Sequence, residues 1–393
     1  MDEKSRNTLS LWMVIAFRIF RSIAAGMIAI DFPYLVLSKL HYGSFFLGAI
    51  YTAAIVAGAF LGLAIGYLAD VTNRKNALLI VSLMLPLSSG LIYYFHYPWI
   101  LFLAAILGTY SATGSLAGGG IGGMAAPLQN ALLVDITQPE KRTKYFSIIM
   151  FISGGMAALG SLLTGVVSEE KIFFIATLVS FISVIFLLPI KDPFRPEKIS
   201  RMKNKIVIGK FTITGMLNGF AQGLVTPFLV PFFIIVYHLP IKEMSLYAFI
   251  SGGLGALSLL AAPLLDKKLG FLKSIIWTRG IGAAVTVALP IFRLLPVSLL
   301  IYFIMPALRI VSAPIQQSAL TKMVEGDEVG RALGVNQMAR MLASSGATSL
   351  TGYLFDLSDI PLPFYIYGAV MGVNIFLYQV FFGKAKVVKK RVS

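Results

Sequence analysis

Long apolar runs alternate with short polar breaks along almost the whole chain. Each run holds 19 residues or more, and about 20 residues of helix cross the hydrocarbon core of a bilayer. The pattern predicts an all-α integral membrane protein with twelve transmembrane helices. Its longest polar break lies between an N-terminal six-helix bundle (1–190) and a C-terminal six-helix bundle with a basic tail (206–393), with residues 191–205 as the linker. The predicted spans are Trp12–Leu37, Phe45–Ala69, Ala77–Phe95, Ile100–Leu133, Tyr145–Val167, Ile172–Ile190, Phe211–Tyr237, Ser245–Leu265, Leu272–Leu295, Val297–Val324, Ala332–Phe355 and Pro363–Phe382.

The composition supports one polytopic membrane protein. Hydrophobic residues make up 57% of the chain and charged residues 13%, whereas soluble domains have about 45–50% and about 25%. Without cysteine, a thiolate nucleophile and a cysteine-based metal site are excluded. The sequence also lacks the zinc-protease, nucleophile-elbow and P-loop patterns. We therefore expect neither an enzyme nor a cofactor or metal site.

The distribution of basic residues predicts the topology. One side of the predicted spans collects 23 Lys and Arg residues and the other side only 4. Since cytoplasmic loops carry the excess of positive charge, both chain ends are expected in the cytoplasm of a plasma-membrane protein. The net charge of +16 is thus a signal of topology in contact with lipid, not of nucleic-acid binding. A monomer is expected.

The two halves carry matching sequence elements. Ala126-Pro127-Leu128-Gln129 in the fourth span recurs as Ala313-Pro314-Ile315-Gln316 in the tenth, and a Thr-Gly pair follows each at residues 164–165 and 351–352. The proline and glycine lie 38 residues apart in both halves. Such a repeat indicates a duplicated six-helix unit and pseudo-symmetric halves, the organisation of many membrane transporters.

The loop between the second and third spans carries a motif. It reads GYLADVTNRKNAL from Gly66 to Leu78, and a degenerate copy, PLLDKKLGFLK, lies between the eighth and ninth spans. This loop resembles the signature of the major facilitator superfamily, from which it departs at Val71 and Asn73. The resemblance covers the whole chain and implies a secondary transporter that works by alternating access.

The same loop contains the candidate gating residues. Gly58, Gly62 and Gly66 recur every four residues, which lets a neighbouring helix approach closely. Beyond them, Asp70 can accept hydrogen bonds from a helix N-terminus or pair with basic residues such as Arg142. The alternative is a charged loop that only obeys the positive-inside rule. The candidate gating set is Gly66, Asp70, Arg74, Lys75, Arg142 and Asp266.

Six basic residues lie inside the apolar runs. A charge at the centre of a membrane costs at least about 2.5–3.5 kcal/mol, so these side chains should face the bundle interior or a water-filled cavity. Arg18, Lys210 and Arg279 lie closer to a helix end, from which they could reach the interface. Arg21, Arg309 and Arg340 lie deeper. Asp31 is the one acidic residue well inside an apolar run.

By the family resemblance, spans one, four, seven and ten line a central cavity. An interior with this excess of positive charge favours an organic anion as the solute. In the seventh span, Thr226 is expected to join the cavity-lining residues, and Pro227 and Pro231, which lack backbone donors, should bend the helix. The candidate substrate-binding residues are Arg21, Asp31, Asn218, Gln222, Arg309 and Arg340.

Three alternatives stay open. The arginines could be structural, with Arg21 paired to Asp31 and with Arg309 and Arg340 bound to carbonyls of broken helices. The solute could instead be a lipophilic cation exported against protons, for which Asp31 would serve as the site of a coupling proton. A non-transporting receptor on the same fold is the third.

Overall fold

The computed structural model describes residues 3–71, 74–110, 125, 128–129, 132–133, 142–190, 203–292, 294–324 and 329–383, and their regular secondary structure is helical. Residues 191–202 of the predicted linker, and Ala126 and Pro127 of the repeated element in the fourth span, lie outside the described residues. The α-helices are α1 (Glu3–Tyr34), α2 (Ser44–Val71), α3 (Arg74–Tyr94), α4 (Pro98–Gly108), α5 (Arg142–Thr164), α6 (Ile172–Ile185), α7 (Lys205–Val225), α8 (Leu229–Tyr237), α9 (Ile241–Ser258), α10 (Ala262–Ala288), α11 (Leu295–Ile310), α12 (Ser312–Met323), α13 (Val329–Asp356) and α14 (Leu362–Phe382).

Most of these helices are long and apolar enough to cross a membrane. Seven helical stretches of the described chain meet that criterion. Two shorter apolar helices lie at Pro98–Gly108 and Ile148–Thr164. Because a bilayer leaves no water for unpaired backbone groups, helices of this kind satisfy their own hydrogen bonds while crossing it. The all-helical membrane architecture is confirmed, and the number of twelve spans stays a prediction.

The fourth apolar run is not one continuous helix. Helix α4 ends at Gly108, and Thr109 follows in the left-handed conformation with φ 46°. The amide of Tyr110 donates back to the carbonyl of Ala105 at 2.9 Å, which is the bond that closes a Schellman-type helix end. The expectation of an unbroken helix over Ile100–Leu133 is therefore wrong at this point.

Breaks also occur in the C-terminal half. The seventh run consists of α7 and α8, joined by a 3₁₀ turn at Thr226–Phe228. This break confirms the bend predicted at Pro227, which cannot donate a backbone hydrogen bond. Between the eighth and ninth runs the chain turns at Gly270, whose φ of 74° is readily adopted only by glycine.

The helices of the two halves pack in the same pattern. In the first half α1 packs against α5 and α6, and α3 packs against α6. The second half repeats this with α7 against α13 and α14, and α10 against α14. Across the halves the largest contacts are α2 with α13 and α5 with α9. The arrangement agrees with the duplication predicted from sequence.

The buried apolar side chains show where the halves are joined. One cluster runs through both halves and includes Ile28, Leu47, Phe228 and Phe355. Two further clusters each stay within one half, around Leu78 in the first and around residues 208–211 in the second.

We call the face where α1 begins and α14 ends the terminal face, and the opposite one, with residues 40–43, 95–97 and 238–240, the distal face. In the described chain, the shared core lies toward the distal face.

Glycines let the principal helix pairs approach to backbone contact. A side chain at Gly26 of α1 would collide with the carbonyl of Ala157 in α5, and one at Gly223 of α7 with the carbonyl of Ser344 in α13. Small residues at a crossing permit this proximity in membranes, where dispersion and polar contacts drive association. The four residues lie at equivalent points of the two halves.

Hydroxyl groups reinforce the same crossings. Ser161 donates to the carbonyl of Gly26 at 3.3 Å, and its counterpart Thr348 donates to that of Gly223 at 3.2 Å. One turn later, the repeated threonines do the same: Thr164 donates to Met27 at 3.4 Å and Thr351 to Leu224 at 2.9 Å. The sequence repeat therefore encodes the crossing of the first span with the fifth and of the seventh with the eleventh.

We predict that Gly223→Ala destabilises the protein by about 1–3 kcal/mol, the usual cost of overpacking, because the methyl group meets the Ser344 carbonyl. Gly209→Ala is the matched control in the same helix, since no atom of the described chain lies within 4 Å of an added Cβ there. Thermal unfolding of detergent-purified protein measures both. Equal melting temperatures for the two variants would contradict the role given to this crossing.

Candidate functional site

Arg309 lies where α11 meets the break in the seventh run. Its Nη2 donates to the hydroxyl of Thr226, the first residue of the 3₁₀ turn. Its guanidinium carbon lies 5.5 Å from the ring centroid of Tyr367, within range of a cation–π contact. The side chain is partly exposed. In the described chain it has no carboxylate partner, so the guanidinium keeps donors for a ligand.

Arg340 lies on α13 against the middle of α7. Its backbone carbonyl and Cγ contact Gly219, whose lack of a side chain makes room for them. Its Nη2 donates to Gln337 Oε1 at 2.7 Å. Arg340 is also partly exposed and has no carboxylate partner among the described residues. In the described chain the acceptors of Arg309 and Arg340 are the side chains of Thr226 and Gln337, not the backbone carbonyls of broken helices that the structural alternative invoked.

Polar residues of α7 lie near the two points, Gly219 and Thr226, at which Arg340 and Arg309 contact this helix. Gln222 Nε2 donates to Asn218 Oδ1 at 3.5 Å, one helical turn away. Asn218 is buried and Gln222 partly exposed. Thr226 lies seven residues beyond Gly219, which corresponds to about 10 Å along a helix. The two arginines therefore contact α7 at different depths, with Asn218 beside the first contact and Gln222 between the two.

The two arginines of α1 are buried inside the N-terminal half. Arg18 Nε donates to Ser153 Oγ at 2.5 Å, and Arg21 Nη1 donates to the carbonyl of Ser82 in α3 at 3.2 Å. Only 3% of Arg21 is exposed. It lies ten residues from Asp31 on the same helix, about 15 Å along the axis, so the alternative in which Arg21 pairs with Asp31 is wrong. Arg21 as a substrate ligand stays a prediction.

Arg279 organises a polar cluster inside the C-terminal half. It donates to Asn374 Oδ1 at 2.6 Å and to Gln316 Oε1 at 2.5 Å. Asn374 in turn donates to the carbonyl of Thr214 at 2.7 Å. The cluster ties four spans together around one buried charge. The expectation that Arg18 and Arg279 reach the membrane interface is wrong, because helix neighbours supply polar partners that the apolar pattern does not reveal.

Asp31 lies near the distal end of α1 and is 2% exposed. Its Oδ1 is buried and has no hydrogen-bond partner in the described part of the chain. The charges that act on it are those of Lys39 and Glu169, which pair with each other at 2.9 Å. A buried carboxylate of this kind is costly in its charged form. It can accept a proton or a cation.

Of the candidate gating residues, the structure locates two side chains. Asp266 forms an ion pair with Lys322 at 3.6 Å, and Lys75 donates to the carbonyl of Leu188 at 2.6 Å. Both contacts stay within one half. The surroundings of the remaining four residues, Gly66, Asp70, Arg74 and Arg142, lie outside what the structure describes.

The interface between the halves contains polar residues that sequence reasoning missed. Thr52 in α2 bonds to the carbonyl of Ser345 at 2.8 Å and to the hydroxyl of Ser349 at 2.7 Å. At the distal face the carboxylate of Asp356 accepts from the amides of Ser44 and Phe45 at 2.6 and 3.0 Å. A small hydroxyl or a helix-terminal aspartate carries no sequence signal of a partner 300 residues away.

Comparison with known proteins identifies the fold. Residues 14–348 match the model of the Major Facilitator Superfamily. The chain belongs to this superfamily. The pattern of helix pairs, the duplicated halves and the motif loop are thus those of a transporter family, and the indicated activity is transport rather than catalysis. The sequence matches none of the curated proteins with which it was compared.

Solved structures of transporters share the fold at low sequence identity. A mutant of the nucleoside transporter NupG aligns with a TM-score of 0.76 and 15% identity, over 95% of this chain and 100% of that one. The human organic anion transporter MFSD10 (TETRAN) aligns with a TM-score of 0.73 and 13% identity, over 95% of this chain and 99% of that one. The D-xylose-proton symporter aligns with a TM-score of 0.72 and 14% identity, over 95% of this chain and 96% of that one. These likenesses establish the fold and leave the solute undetermined.

We predict that Asn374→Leu in this superfamily member costs about 2–4 kcal/mol, because Arg279 loses an acceptor and the Thr214 carbonyl loses its donor in a buried site. The double variant Asn374→Leu/Arg279→Leu should recover part of the loss, since no uncompensated charge remains. The melting temperatures of the single and the double variant, measured by thermal unfolding without solute, test both expectations. A double variant less stable than Asn374→Leu would contradict this account of the cluster.

Proposed function

We propose that the chain is a secondary transporter of the plasma membrane that moves a small organic anion by alternating access between two halves, residues 1–190 and 206–393. The observation that carries this proposal is the pair Arg309 and Arg340. Both are partly exposed and have no carboxylate partner in the described chain. A charge held in a membrane protein without a counter-ion is expensive, and an anionic solute supplies that counter-ion.

The surroundings of Arg309 favour an organic rather than an inorganic anion. The ring of Tyr367 lies beside the guanidinium, and Asn218 and Gln222 offer amide donors and acceptors one and two turns away along α7. A guanidinium binds carboxylate or phosphate through two parallel hydrogen bonds. The amides suit uncharged polar groups of the same solute.

The distal face is extracellular in this proposal. The positive-inside rule puts both termini, and therefore the terminal face, in the cytoplasm. In the described chain the core shared by both halves lies toward the distal face, and the two cores near the terminal face each stay within one half. We infer from this a conformation in which the solute site opens toward the cytoplasm. A lipid-embedded monomer suffices for this mechanism, since the two halves of one chain form the pathway.

We predict that Arg309→Gln and Arg340→Gln each weaken anion binding at least about tenfold, which corresponds to the loss of one charge-assisted hydrogen bond pair. The measurement is the rise in melting temperature of purified protein with carboxylates, phosphate esters, nucleosides, sugars and lipophilic cations at pH 5 and pH 7.5. A ligand bound to the native state stabilises it by mass action.

Lys210→Gln is the matched control, because it removes one basic residue from α7 that contacts Phe381 rather than the proposed site. Stabilisation by anions that is lost in both arginine variants and kept in this control supports the proposal. Stabilisation by lipophilic cations alone would overturn it and favour cation efflux through Asp31. No stabilisation by any solute class would favour the receptor alternative.

Asp31 is our candidate for the site of a coupling proton. We predict that Asp31→Asn keeps anion exchange across proteoliposome membranes within about threefold of wild type and abolishes accumulation driven by a pH gradient, because the amide cannot carry the proton. The ion-paired Glu169 supplies the control Glu169→Gln, which should leave accumulation in place. Uphill accumulation by Asp31→Asn would contradict the assignment.

A further inference from the structure

The break in the fourth apolar run leaves polar groups without partners inside the membrane. Helix α4 ends at Gly108, ten residues or about 15 Å from its start at Pro98, which is well within a hydrocarbon core about 30 Å thick. The hydroxyls of the next two residues, Thr109 and Tyr110, are buried and have no hydrogen-bond partner in the described chain. Because an unpaired buried hydroxyl is costly, this break is suited to a polar ligand.

The carboxylate of Asp31 lies near the same break. Phe32, the next residue of α1, packs edge-on against the ring of Tyr110 with 4.9 Å between the ring centroids. The carboxylate of Asp31 acts electrostatically on the hydroxyl of Tyr110. Asp31 Oδ1 is itself buried and unpartnered in the part of the chain that the structure describes. A carboxylate oxygen and a phenol oxygen, each without a partner, are thus brought near each other between α1 and the end of α4.

The packing around Tyr110 fixes the position of its hydroxyl. The ring of Tyr110 and the side chain of Ser88 in α3 both lie against Gly108, where a Cβ would come within 2.6 Å of Ser88 Oγ. Ser88 donates to the carbonyl of Ala104 in α4 at 2.6 Å, so its proton is already used. The ring is therefore held between α1, α3 and α4 and cannot turn toward a distant partner.

The electrostatics of this region favour a cation. Lys39 and Glu169, the charges that act on Asp31, form an ion pair at 2.9 Å and largely cancel each other. The carboxylate of Asp31 is thus left without a counter-ion of its own. The carbonyl end of α4 adds the negative pole of the helix dipole.

The donor set suits a small monovalent cation. Carboxylate, hydroxyl and carbonyl oxygens are ligands of hard cations. One carboxylate balances one positive charge, and no group of three or more His, Cys, Asp or Glu side chains among the described residues forms a site for a divalent ion. The carbonyl ends of broken helices coordinate Na⁺ in several membrane transporters.

We propose that Asp31 and Tyr110 bind Na⁺ at the end of α4, and that Na⁺ competes with the coupling proton for the carboxylate of Asp31. This inference rests on the coupling role proposed for Asp31 and not on the anion site. In the described chain, the charged and titratable groups around Asp31 are Tyr34, Lys39, Tyr110 and Glu169. Because protonation removes the charge that holds Na⁺, the affinity for Na⁺ should fall as the pH falls.

The experiment measures Na⁺ binding to the purified protein without organic solute. Melting temperatures are compared in titrations with NaCl, KCl and choline chloride at constant ionic strength, since a ligand bound to the native state stabilises it by mass action. We expect stabilisation specific to Na⁺ at pH 7.5, with a higher apparent Kd at pH 5. Failure of the proposed anion site would leave this measurement unaffected.

Asp31→Asn should abolish the stabilisation specific to Na⁺, because the amide carries no charge. Tyr110→Phe should raise the apparent Kd about tenfold, the effect of one hydrogen-bond-strength contact to a charged group. Tyr378→Phe is the matched control, since it removes another fully buried, unpartnered hydroxyl, in the C-terminal half, and should keep the wild-type Kd. Melting temperatures in choline alone separate a change in folding from a change in the response to Na⁺.

Three results would each overturn the Na⁺ site. The first is equal stabilisation by the three salts, which would leave the break to water. The second is a Na⁺ response kept in Asp31→Asn, which would put the cation elsewhere. The third is a wild-type Kd in Tyr110→Phe. Accumulation driven by a pH gradient in a protein with no Na⁺ response would likewise remove the Na⁺ site, while leaving the proton role of Asp31 in place.

Discussion

The close crossing of α1 with α5, repeated by α7 with α13, is the contact on which the rest of the structure depends. At each crossing a glycine meets a backbone carbonyl, and a serine or threonine hydroxyl bonds back across it. Lipid offers no hydrophobic gain for packing apolar helices together, so close packing and hydrogen bonds must hold them. The position of Arg340 follows from this constraint, since its backbone lies against Gly219 of the same crossing.

Much of this architecture is visible in the sequence. The apolar runs predict the helices, the repeated Thr-Gly pairs mark equivalent crossings, and Pro227 marks the break that receives Arg309. Apolar periodicity does not show which neighbour a helix face meets, because lipid and protein accept the same side chains. For that reason the sequence could place Arg18 and Arg279 within spans but could not identify Ser153, Asn374 and Gln316 as their partners.

The arginines divide into two groups by their partners. Arg18, Arg21 and Arg279 are at most 7% exposed and donate to groups within their own half. Arg309 and Arg340 are partly exposed, and among the described residues each donates to one side chain of its own half. The first group donates to acceptors of neighbouring helices, as expected of a structural charge. The second keeps free guanidinium donors, which is what recognition of an anion requires.

The polar contacts within the halves differ from those between them. Within a half, Arg18 and Arg279 are buried charges, and separation from their partners would leave them uncompensated at a cost of several kcal/mol. Between the halves, Thr52 makes hydroxyl bonds and Asp356 caps a helix at an exposed face. Hydrogen bonds between membrane helices contribute about 0.6 kcal/mol on average, and an exposed cap about as much. The hydrogen bonds between the halves are therefore easier to exchange than the buried polar clusters within them.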